Sequence, residues 1–598
     1  MLYPIDTPTR TRIDLSGIWQ AVFDWDEKGL DEKWFENPPE GRDIAVPASW
    51  NDQFQDWRAH NFVGSVWYYR DFCVPAEWDG KKNVLVRVGS AMYHATVWVN
   101  GKLVCEHEGG YLPFECEVSS ALKKDEKNLL VVRVNNTLSD KTCPQGNLDP
   151  EIGGVAKWRV GNFPNVHYDF FAYGGIHRPV VLHSTNKTCI DDITVRTTID
   201  GSSGTIRFEA VISGEGARKL EVTVDGQQVE VAVDGQAGSG SIVIDDCVFW
   251  CPETPRLYDS CFRLYGEGDE LLDEYTLPVG VRTVGVKGKS ILLNGKPVYL
   301  KGFGRHEDLP VIGKGLSLPW LIKDFSLMKW VNANSFRTSH YPYCEEIMQM
   351  ADRWGFMVID ESSANTLSFK VDTEETLKIH RQEIRELYQR DKNHPSVIMW
   401  SVSNESETND EKSVPYFTTI RDDLRALDDT RPITIVVCVG QHGEKTAPLF
   451  DVVCYNQYPG WYGLSGRLEK VEENVDIHVN SVWDLFGKPI IYTEFGADAL
   501  AGMHADIPEM WTEEYQKEVI RVILDALHKH DCVVGEHVWN FADFKTGQHV
   551  NRPVYNHKGV FTRDRRPKLA AHYLRDAWSD EGANWGVPFE YVPPEVRQ

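Results

Sequence analysis

The sequence lacks any apolar stretch long enough to cross a membrane. No segment approaches the ~20 consecutive apolar residues that a transmembrane helix needs. The N-terminus, Met1-Leu2-Tyr3-Pro4-Ile5-Asp6, has neither the basic region nor the apolar region of a secretory signal. We therefore expect no membrane partner and a cytoplasmic location.

The cysteines also lack an organised pattern. There are 12 of them, scattered along the chain, and no two form a CxxC pair. Such pairs are typical of zinc sites, and regular cysteine spacing is typical of disulfide frameworks. We expect neither, and we expect no metal and no other cofactor. Reduced thiols would suit a cytoplasmic protein.

Positive charge is in deficit, since 63 Lys and Arg face 89 Asp and Glu and the net charge is −26. Nucleic acids and anionic membranes attract clustered basic side chains, so this balance argues against both partners. A small anionic substrate stays possible, but it would need cations close to its binding site.

Aromatic residues are abundant by contrast, with 20 Trp among 598 residues. They indicate either large aromatic-rich β cores or a sugar-binding cleft, in which flat rings stack on sugar faces, and the count alone does not separate the two. The length suggests about three to five domains.

The first part of the chain has the pattern of two β domains. Short runs rich in Val, Trp, Tyr and Thr, such as 66–70 and 95–99, alternate with turns, and Asn100-Gly101 is a hairpin signal. Residues 1–182 are predicted to form a β-sandwich or jelly roll. Residues 183–282, with strands at 204–208 and 220–224 and a Gly-rich loop at 234–240, are predicted to form an immunoglobulin-like sandwich.

The pattern changes near residue 290, where buried-strand runs alternate with amphipathic helices such as 376–390. Residues 283–598 are therefore predicted to form a catalytic (β/α)8 TIM barrel, whose active site lies at the carboxyl ends of the strands. The eight strand candidates are 298–302, 334–337, 357–360, 397–401, 433–437, 452–455, 490–493 and 533–537.

Two glutamates stand at equivalent strand ends in this barrel. The fourth strand runs into Asn404-Glu405 and the seventh runs into Glu494. A single Glu at a strand end is usually a cap or a surface residue, but two in matching contexts indicate a carboxylate pair. Retaining glycoside hydrolysis requires such a pair ~5–5.5 Å apart, with one nucleophile and one acid/base.

Long motifs in order along nearly the whole chain resemble glycoside hydrolase family 2, and within it the β-glucuronidases. The resemblance implies a sugar-binding jelly roll, an immunoglobulin-like sandwich and a catalytic barrel, and this agrees with the strand and helix pattern described above. The motifs are 61–64 (NFVG), 108–114 (EGGYLPF), 169–178 (DFFAYGGIHR), 304–308 (GRHED), 337–342 (RTSHYP), 456–462 (NQYPGWY), 539–544 (WNFADF) and 561–564 (FTRD).

The resemblance implies a role for each matching residue. Glu405 would be the general acid/base and Glu494 the nucleophile, so hydrogen bonds should keep the pKa of Glu494 low while repulsion keeps Glu405 protonated. Asn404 would bind the sugar 2-hydroxyl, and Asn556 and Lys558 would contact the C6 carboxylate of glucuronic acid. The other implied substrate-binding residues are Asp169, His306, Asn456, Tyr458, Tyr462, Trp539 and Arg552.

The chain departs from the family pattern in two places. The family usually has Pro after the acid/base Glu, whereas this chain has Ser406. Many bacterial relatives carry a long loop after the third barrel strand, whereas only residues 362–373 lie between Glu361 and the next helix here. A short loop should open the aglycone side to bulky or oligosaccharide-like aglycones.

The resemblance implies a retaining exo-β-glucuronidase that acts on small-molecule or oligosaccharide β-glucuronides. A β-galacturonidase is the nearest alternative, because it differs only at the C4 hydroxyl. A β-galactosidase would leave Asn556 and Lys558 without a carboxylate. A non-catalytic carbohydrate-binding protein would not need both glutamates. We also expect a homo-oligomer, either a dimer or a tetramer.

Overall fold

A computed structural model describes residues 1–78, 80, 82–146, 166, 168–548 and 551–579. In this part of the chain there are 33 β-strands and eight α-helices. The predicted third domain extends to residue 598, so its last residues lie outside the described ranges.

The N-terminal region is a β-sandwich. One sheet has the order β3-β2-β5-β11-β8-β9, the other has the order β1-β13-β6-β10, and the short strands β4, β12 and β7 form a third sheet. The strands are β1 Thr11–Asp14, β2 Gly17–Phe23, β3 Arg42–Val46, β4 Ala48–Ser49, β5 Ser65–Phe72, β6 Lys82–Val88, β7 Ala91–Met92, β8 His94–Val99, β9 Lys102–Glu108, β10 Phe114–Glu117, β11 Asn128–Asn135, β12 Gly175–Ile176 and β13 Val180–Asn186.

Alternating apolar residues explain this sandwich. Val84, Val86 and Val88 of β6 pack against Val132 and Val134 of β11 in one buried core between the two larger sheets. The predicted hairpin joins β8 to β9, and both turn residues have positive φ, 52° at Asn100 and 79° at Gly101, as a type I′ turn requires.

The second β region forms two antiparallel sheets, β14-β15-β18 and β17-β16-β19-β20, around a core of their inward residues. The immunoglobulin-like prediction is confirmed. The strands are β14 Cys189–Asp200, β15 Ser203–Ser213, β16 Lys219–Val224, β17 Gln227–Ala232, β18 Ala237–Ile244, β19 Tyr258–Tyr265 and β20 Leu271–Val279.

The predicted Gly-rich loop at 234–240 is partly wrong, because β18 begins at Ala237. A Cβ on Gly240 would lie 2.8 Å from Phe208 Cζ, and one on Gly238 would lie 3.1 Å from Leu220 Cδ2. These glycines let neighbouring side chains approach the strand closely, and they do not mark a turn.

The C-terminal region is a closed barrel of eight parallel strands surrounded by helices, as predicted. A small sheet, β21 Val284–Lys287, β22 Ser290–Leu293 and β23 Lys296–Val298, precedes it. The barrel strands are β24 Leu300–Gly304, β25 Ser335–Arg337, β26 Met357–Glu361, β27 Val397–Asn404, β28 Ile433–Val437, β29 Val452–Asn456, β30 Ile490–Glu494 and β31 Val533–Val538, and β32 Phe544–Lys545 and β33 Tyr555–Asn556 form a hairpin after them.

The first barrel strand begins two residues later than predicted, because Lys296–Val298 pairs with β22 instead. Burial on both faces explains the almost unbroken apolar runs of these parallel strands. The predicted helix at 376–390 lies within α4. The helices are α1 Trp57–His60, α2 Leu318–Trp330, α3 Glu345–Trp354, α4 Glu374–Asp391, α5 Ser413–Leu427, α6 Val471–Phe486, α7 Glu513–Leu527 and α8 Leu569–Ala577.

The N-terminal sandwich is tied to the carboxyl end of the barrel by buried arginines. Arg178 donates to the Pro342 carbonyl oxygen at 2.6 Å, and Arg87 donates to both carboxylate oxygens of Glu345 at 2.8 Å. Phe171 N donates to the Lys545 carbonyl oxygen at 2.9 Å. These contacts bring residues of the first domain to the mouth of the barrel.

Two further expectations can be compared with the structure. A disulfide joins Cys105 of β9 to Cys116 of β10, so the expectation that all thiols are reduced is wrong for this pair. Among the described residues, none of the helices combines the length and the apolar composition needed to cross a bilayer.

Candidate active site

A cavity lies at the carboxyl ends of the barrel strands, which is where active sites of this fold occur. Most of its walls come from the loops that follow the strands, and the first domain contributes the rest. The lining residues are Tyr168, Asp169, Phe170, His306, His340, Asn365, Thr366, Asn404, Glu405, Tyr458, Tyr462, Glu494, Trp539 and Asn556.

Glu494, the last residue of β30, is held by two donors. Arg337 Nη2 donates to its Oε1 at 2.5 Å, and the Tyr458 hydroxyl donates to its Oε2 at 2.6 Å. Arg337 also donates to Glu361 at 2.7 Å through Nη1, so two carboxylates share one guanidinium. Both carboxylate oxygens of Glu494 are therefore fixed in direction.

Burial raises the pKa of Glu494 to about 8, even though Arg337 and the Tyr458 hydrogen bond act in the opposite direction and the charge of Glu405 raises it further. The expectation that hydrogen bonds keep this pKa low is wrong, because the loss of hydration outweighs them. Burial therefore favours the protonated form of Glu494 in the free enzyme.

Few cations offset these carboxylates. Burial lowers the pKa of His340 to about 4, so the imidazole is neutral at pH 7 although its Nδ1 lies 3.1 Å from Glu361 Oε1. Arg337 is thus the one cationic side chain at pH 7 that the described residues place in contact with both Glu361 and Glu494.

Glu405 follows β27 and is oriented by an amide network. Asn456 Nδ2 donates to Glu405 Oε1 at 2.9 Å and to Asn404 Oδ1 at 3.1 Å. Thr493 Oγ1 donates to Asn456 Oδ1 at 2.9 Å, and this bond fixes which way the Asn456 amide points. Asn404 Nδ2 donates to Asn365 Oδ1 at 2.9 Å, so the Asn404 amide is fixed as well.

Asp169 belongs to the first domain and lines the cavity. Its carboxylate accepts from Asn556 Nδ2 at 2.6 Å and from Arg552 Nε at 3.1 Å. Arg552 Nη2 also donates to the Tyr462 hydroxyl at 2.5 Å. These four residues close the side of the cavity at which Asn556 lies.

Lys558 lies behind this wall and does not line the cavity. Its side chain is fully buried, and Nζ donates to Asp498 Oδ2 at 2.5 Å and to the Tyr462 hydroxyl at 3.0 Å. Asp498 also accepts from His557 N at 2.7 Å. The ammonium group is therefore already paired with a carboxylate that the sequence analysis did not consider.

The structure brings nearly all of the predicted residues to one site. His306 and Trp539 meet edge to face at 5.3 Å between ring centroids, and both line the cavity with Asp169, Asn404, Tyr458, Tyr462 and Asn556. Asn456, Arg552 and Lys558 support it from behind through the hydrogen bonds given above.

Eight residues of the site were missed, and the aromatic lining residues Tyr168 and Phe170 are two of them. Arg337 and His340 lie in the quoted motif 337–342, and an Arg that ends a buried barrel strand was a usable signal. Glu361 likewise ends the third strand. Asn365, Thr366 and Asp498 carry no distinguishing pattern. No group of His, Cys, Asp or Glu in the described ranges could hold a metal ion.

A parallel eight-stranded barrel with two glutamates in one cavity at its carboxyl end defines a class, the (β/α)8-barrel glycoside hydrolases with a carboxylate pair. The jelly-roll and immunoglobulin-like sandwiches that precede the barrel restrict this class to the members that carry two such β domains before the barrel.

Comparisons with known proteins identify the family. The family model described as "Glycosyl hydrolases family 2, sugar binding domain" matches residues 13–186, "Glycosyl hydrolases family 2" matches 188–282, and "Glycosyl hydrolases family 2, TIM barrel domain" matches 284–581. The chain belongs to glycoside hydrolase family 2.

Relatives in this family match over almost the full length. A β-glucuronidase of Paenibacillus borealis is 44% identical over 97% of this chain and 99% of its own, and the human β-glucuronidase is 40% identical over 97% and 92%. The solved β-D-glucuronidase of Dictyoglomus thermophilum is 41% identical with a TM-score of 0.88, covering 97% of this chain and 99% of its own. The Ruminococcus gnavus β-glucuronidase in complex with D-glucuronic acid is 36% identical with a TM-score of 0.90, at the same coverage.

Proposed function

We propose that this protein is a retaining exo-β-glucuronidase that hydrolyses β-D-glucuronides to glucuronic acid and an aglycone. The observation that carries the proposal is the pair Glu405 and Glu494 in one cavity, whose lining includes Asn556 with Lys558 behind it. Relatives named β-glucuronidase at 44% identity over 97% of the chain support the same substrate.

The reaction has two steps in this proposal. A carboxylate oxygen of Glu494 bonds to the anomeric carbon as the bond from that carbon to the aglycone oxygen breaks, and Glu405 gives its proton to that oxygen. Water then attacks the anomeric carbon, Glu405 takes the proton from the water, and Glu494 leaves as a carboxylate.

The donors around each glutamate support this assignment of roles. Arg337 and Tyr458 both donate to Glu494, so they stabilise its ionised form. Asn456 donates to one oxygen of Glu405, and no side chain among the described residues donates to the other. In the proposed mechanism these donors favour Glu494 as the ionised nucleophile, whereas burial acts on its pKa in the opposite direction.

Recognition of the substrate carboxylate is assigned to Asn556 and Lys558. The ammonium of Lys558 lies 4.6 Å from the Tyr462 ring centroid and bonds to its hydroxyl, so it is close behind the cavity wall. Arg552 adds a second cation, although Asp169 and Asp498 already offset both charges. A chromogenic glucuronide, galacturonide and galactoside assayed side by side would test the substrate, and faster hydrolysis of the galacturonide would favour the alternative enzyme.

Lys558→Ala should lower kcat/KM on an aryl glucuronide by about 10- to 10³-fold, because a charge-assisted hydrogen bond is worth roughly 1.5–3 kcal/mol and the substrate carboxylate would then be partly unpaired. The loss on the matching aryl glucoside should be small, since that substrate has no carboxylate. The ratio of the two kcat/KM values is the measurement. Equal losses on both substrates would assign Lys558 a structural role.

The same substitution should also lower the melting temperature, because it leaves Asp498 buried with Arg552 as its remaining cationic partner at 3.5 Å. The double variant Lys558→Ala/Asp498→Asn is the matched control, because it removes the uncompensated charge. It should recover stability without recovering the preference for the acidic sugar.

The loop at residues 362–373 joins β26 to α4, and its short length supports a preference for substrates with large aglycones. Because this loop is short, we expect kcat/KM to be higher for large glycosides than for small aryl glucuronides. A series of glucuronides with aglycones of increasing size would measure it, and a steady fall of kcat/KM with size would reject the expectation.

We also propose the domain boundaries 1–182, 183–282 and 283–598, a cytoplasmic location and a homo-oligomeric state, either dimer or tetramer. The sheets and the matched family ranges support the boundaries to within a few residues. Light scattering of the purified chain would determine the number of subunits.

A further inference from the structure

The loop at residues 362–373 is bonded to the segment that carries Glu405 by three backbone hydrogen bonds. Asn404 N donates to the Ala364 carbonyl at 3.0 Å, and Thr366 N donates to the Asn404 carbonyl at 2.8 Å. Glu407 N then donates to the Leu367 carbonyl at 2.9 Å. The loop therefore extends the pairing of β26 and β27 past the ends of both strands.

The buried hydroxyl of Ser406 adds a side-chain connection to this series. Ser406 Oγ accepts from Leu367 N at 3.1 Å and lies 2.7 Å from Ser403 Oγ, which itself donates to the Ala364 carbonyl at 2.7 Å. Because the Ser403 proton is used on Ala364, Ser406 is the donor between the two hydroxyls. The Leu367 N–H group and the hydroxyls of Ser403 and Ser406 therefore each donate to a different acceptor.

Glu407 provides a second connection to the loop, one residue further along the chain than Ser406. Its Oε2 accepts from Ser368 Oγ at 2.8 Å and from Phe369 N at 3.2 Å, and it is nearly fully buried. The half-exposed Lys370 approaches Oε1 at 3.1 Å from the solvent side. Ser406 and Glu407 together fasten the two residues that follow Glu405 to the loop.

The backbone between these connections is unusual. Asn365 and Asn404 pair as a parallel bridge, and the residues after them, Thr366 and Glu405, have φ of 51° and 49°. The left-handed region is unfavourable for side chains of this kind and persists only where the surroundings fix it. Both side chains line the cavity. The loop thus holds Glu405 in a conformation that the backbone alone does not favour.

We propose that Ser406 and Glu407 are positioning residues, which hold the carboxyl group of Glu405 in place for proton transfer by binding it to the loop at 362–373. This inference rests on the proposed role of Glu405 as the acid/base. Each of residues 364 and 366–369 makes at least one bond to residues 403–407.

The test compares leaving groups. Ser406→Ala and Glu407→Ala should each lower kcat/KM about 10- to 100-fold on an alkyl glucuronide, whose leaving oxygen needs protonation, because a misplaced acid loses much of its contribution. On a dinitrophenyl glucuronide, which needs little protonation, the loss should be about 3-fold or less. Equal losses on the two substrates would overturn the proposal.

Two matched variants separate positioning from general damage. Glu407→Gln keeps an oxygen that can accept from Ser368 and Phe369, so it should recover most of the activity on the alkyl substrate. Lys370→Met removes only the exposed partner of Glu407, so it should leave both substrates within about 2-fold of the wild type. A large loss in Lys370→Met, or no recovery in Glu407→Gln, would contradict the inference.

A double-mutant cycle gives the sharpest result. If Ser406 acts through Glu405, then Ser406→Ala should have almost no effect on the alkyl substrate in a Glu405→Ala background. An undiminished effect in that background would overturn the proposal. Failure of the glucuronidase assignment would appear in the wild type instead, and the same cycle would then use whichever glycoside the wild type hydrolyses.

Discussion

Glu494→Gln is expected to lower turnover on an aryl glucuronide at least ~10³-fold, because no covalent glycosyl-enzyme can form without the carboxylate. The fold should persist, since Arg337 keeps Glu361 as its partner at 2.7 Å and Tyr458 can still bond to the amide oxygen. Initial rates and a thermal melt of the purified variant would measure both outcomes.

Covalent labelling identifies the nucleophile independently of the loss in rate. A 2-deoxy-2-fluoro glucuronide should react with the wild type and stay attached to Glu494, and peptide mapping should locate it there. Glu361→Gln is the matched control, because Glu361 shares Arg337 but does not line the cavity. This variant should still be labelled at Glu494. A label on any other carboxylate would make the assignment wrong.

Glu405→Ala is expected to lower kcat/KM by about 10²- to 10⁴-fold on glucuronides with poor leaving groups, the range that general acid catalysis contributes. Dinitrophenyl glucuronides should react with Glu494 nearly as before, and the intermediate should accumulate because no base activates water. Rates across leaving groups of known acidity would measure the difference.

Azide distinguishes the two glutamates further. In Glu405→Ala it can attack the accumulated glycosyl-enzyme without a base, so azide should speed turnover and form a β-glucuronyl azide. Equal losses on all leaving groups together with no azide product would point to a different acid. Asn456→Ala is a useful comparison, since it removes the donor at 2.9 Å from Glu405 but keeps the carboxyl group.

The barrel could be predicted because its strands are buried on both faces and most of them contain a short apolar run, as residues 397–400 of β27 do. The strand ends indicated Glu405 and Glu494 for the same reason, since a carboxylate that ends such a run must face the catalytic end of the barrel. The residue at which the first barrel strand begins was harder to predict, because Lys296–Val298 could form a strand either in the barrel or beside β22.

The partners of the site residues could not be predicted, because they come from distant parts of the chain. Asp169 and Arg552 lie 383 residues apart and meet across a domain contact. Asp498 is 60 residues from Lys558 and has no motif of its own. Hydrogen bonds of this kind depend on where whole elements pack, and local residue patterns do not encode that packing.

By itself the sequence determined the order of the three folds, the family resemblance and the two strand-end glutamates, because periodic burial and long local motifs are properties of neighbouring residues. The tertiary structure alone decided that Arg337 is shared by Glu361 and Glu494, that Lys558 is paired with Asp498, and that the loop at 362–373 is bonded to Ser406 and Glu407. It also decided that the pKa of Glu494 is raised and not lowered, since the extent of burial is set by every element packed around that carboxylate.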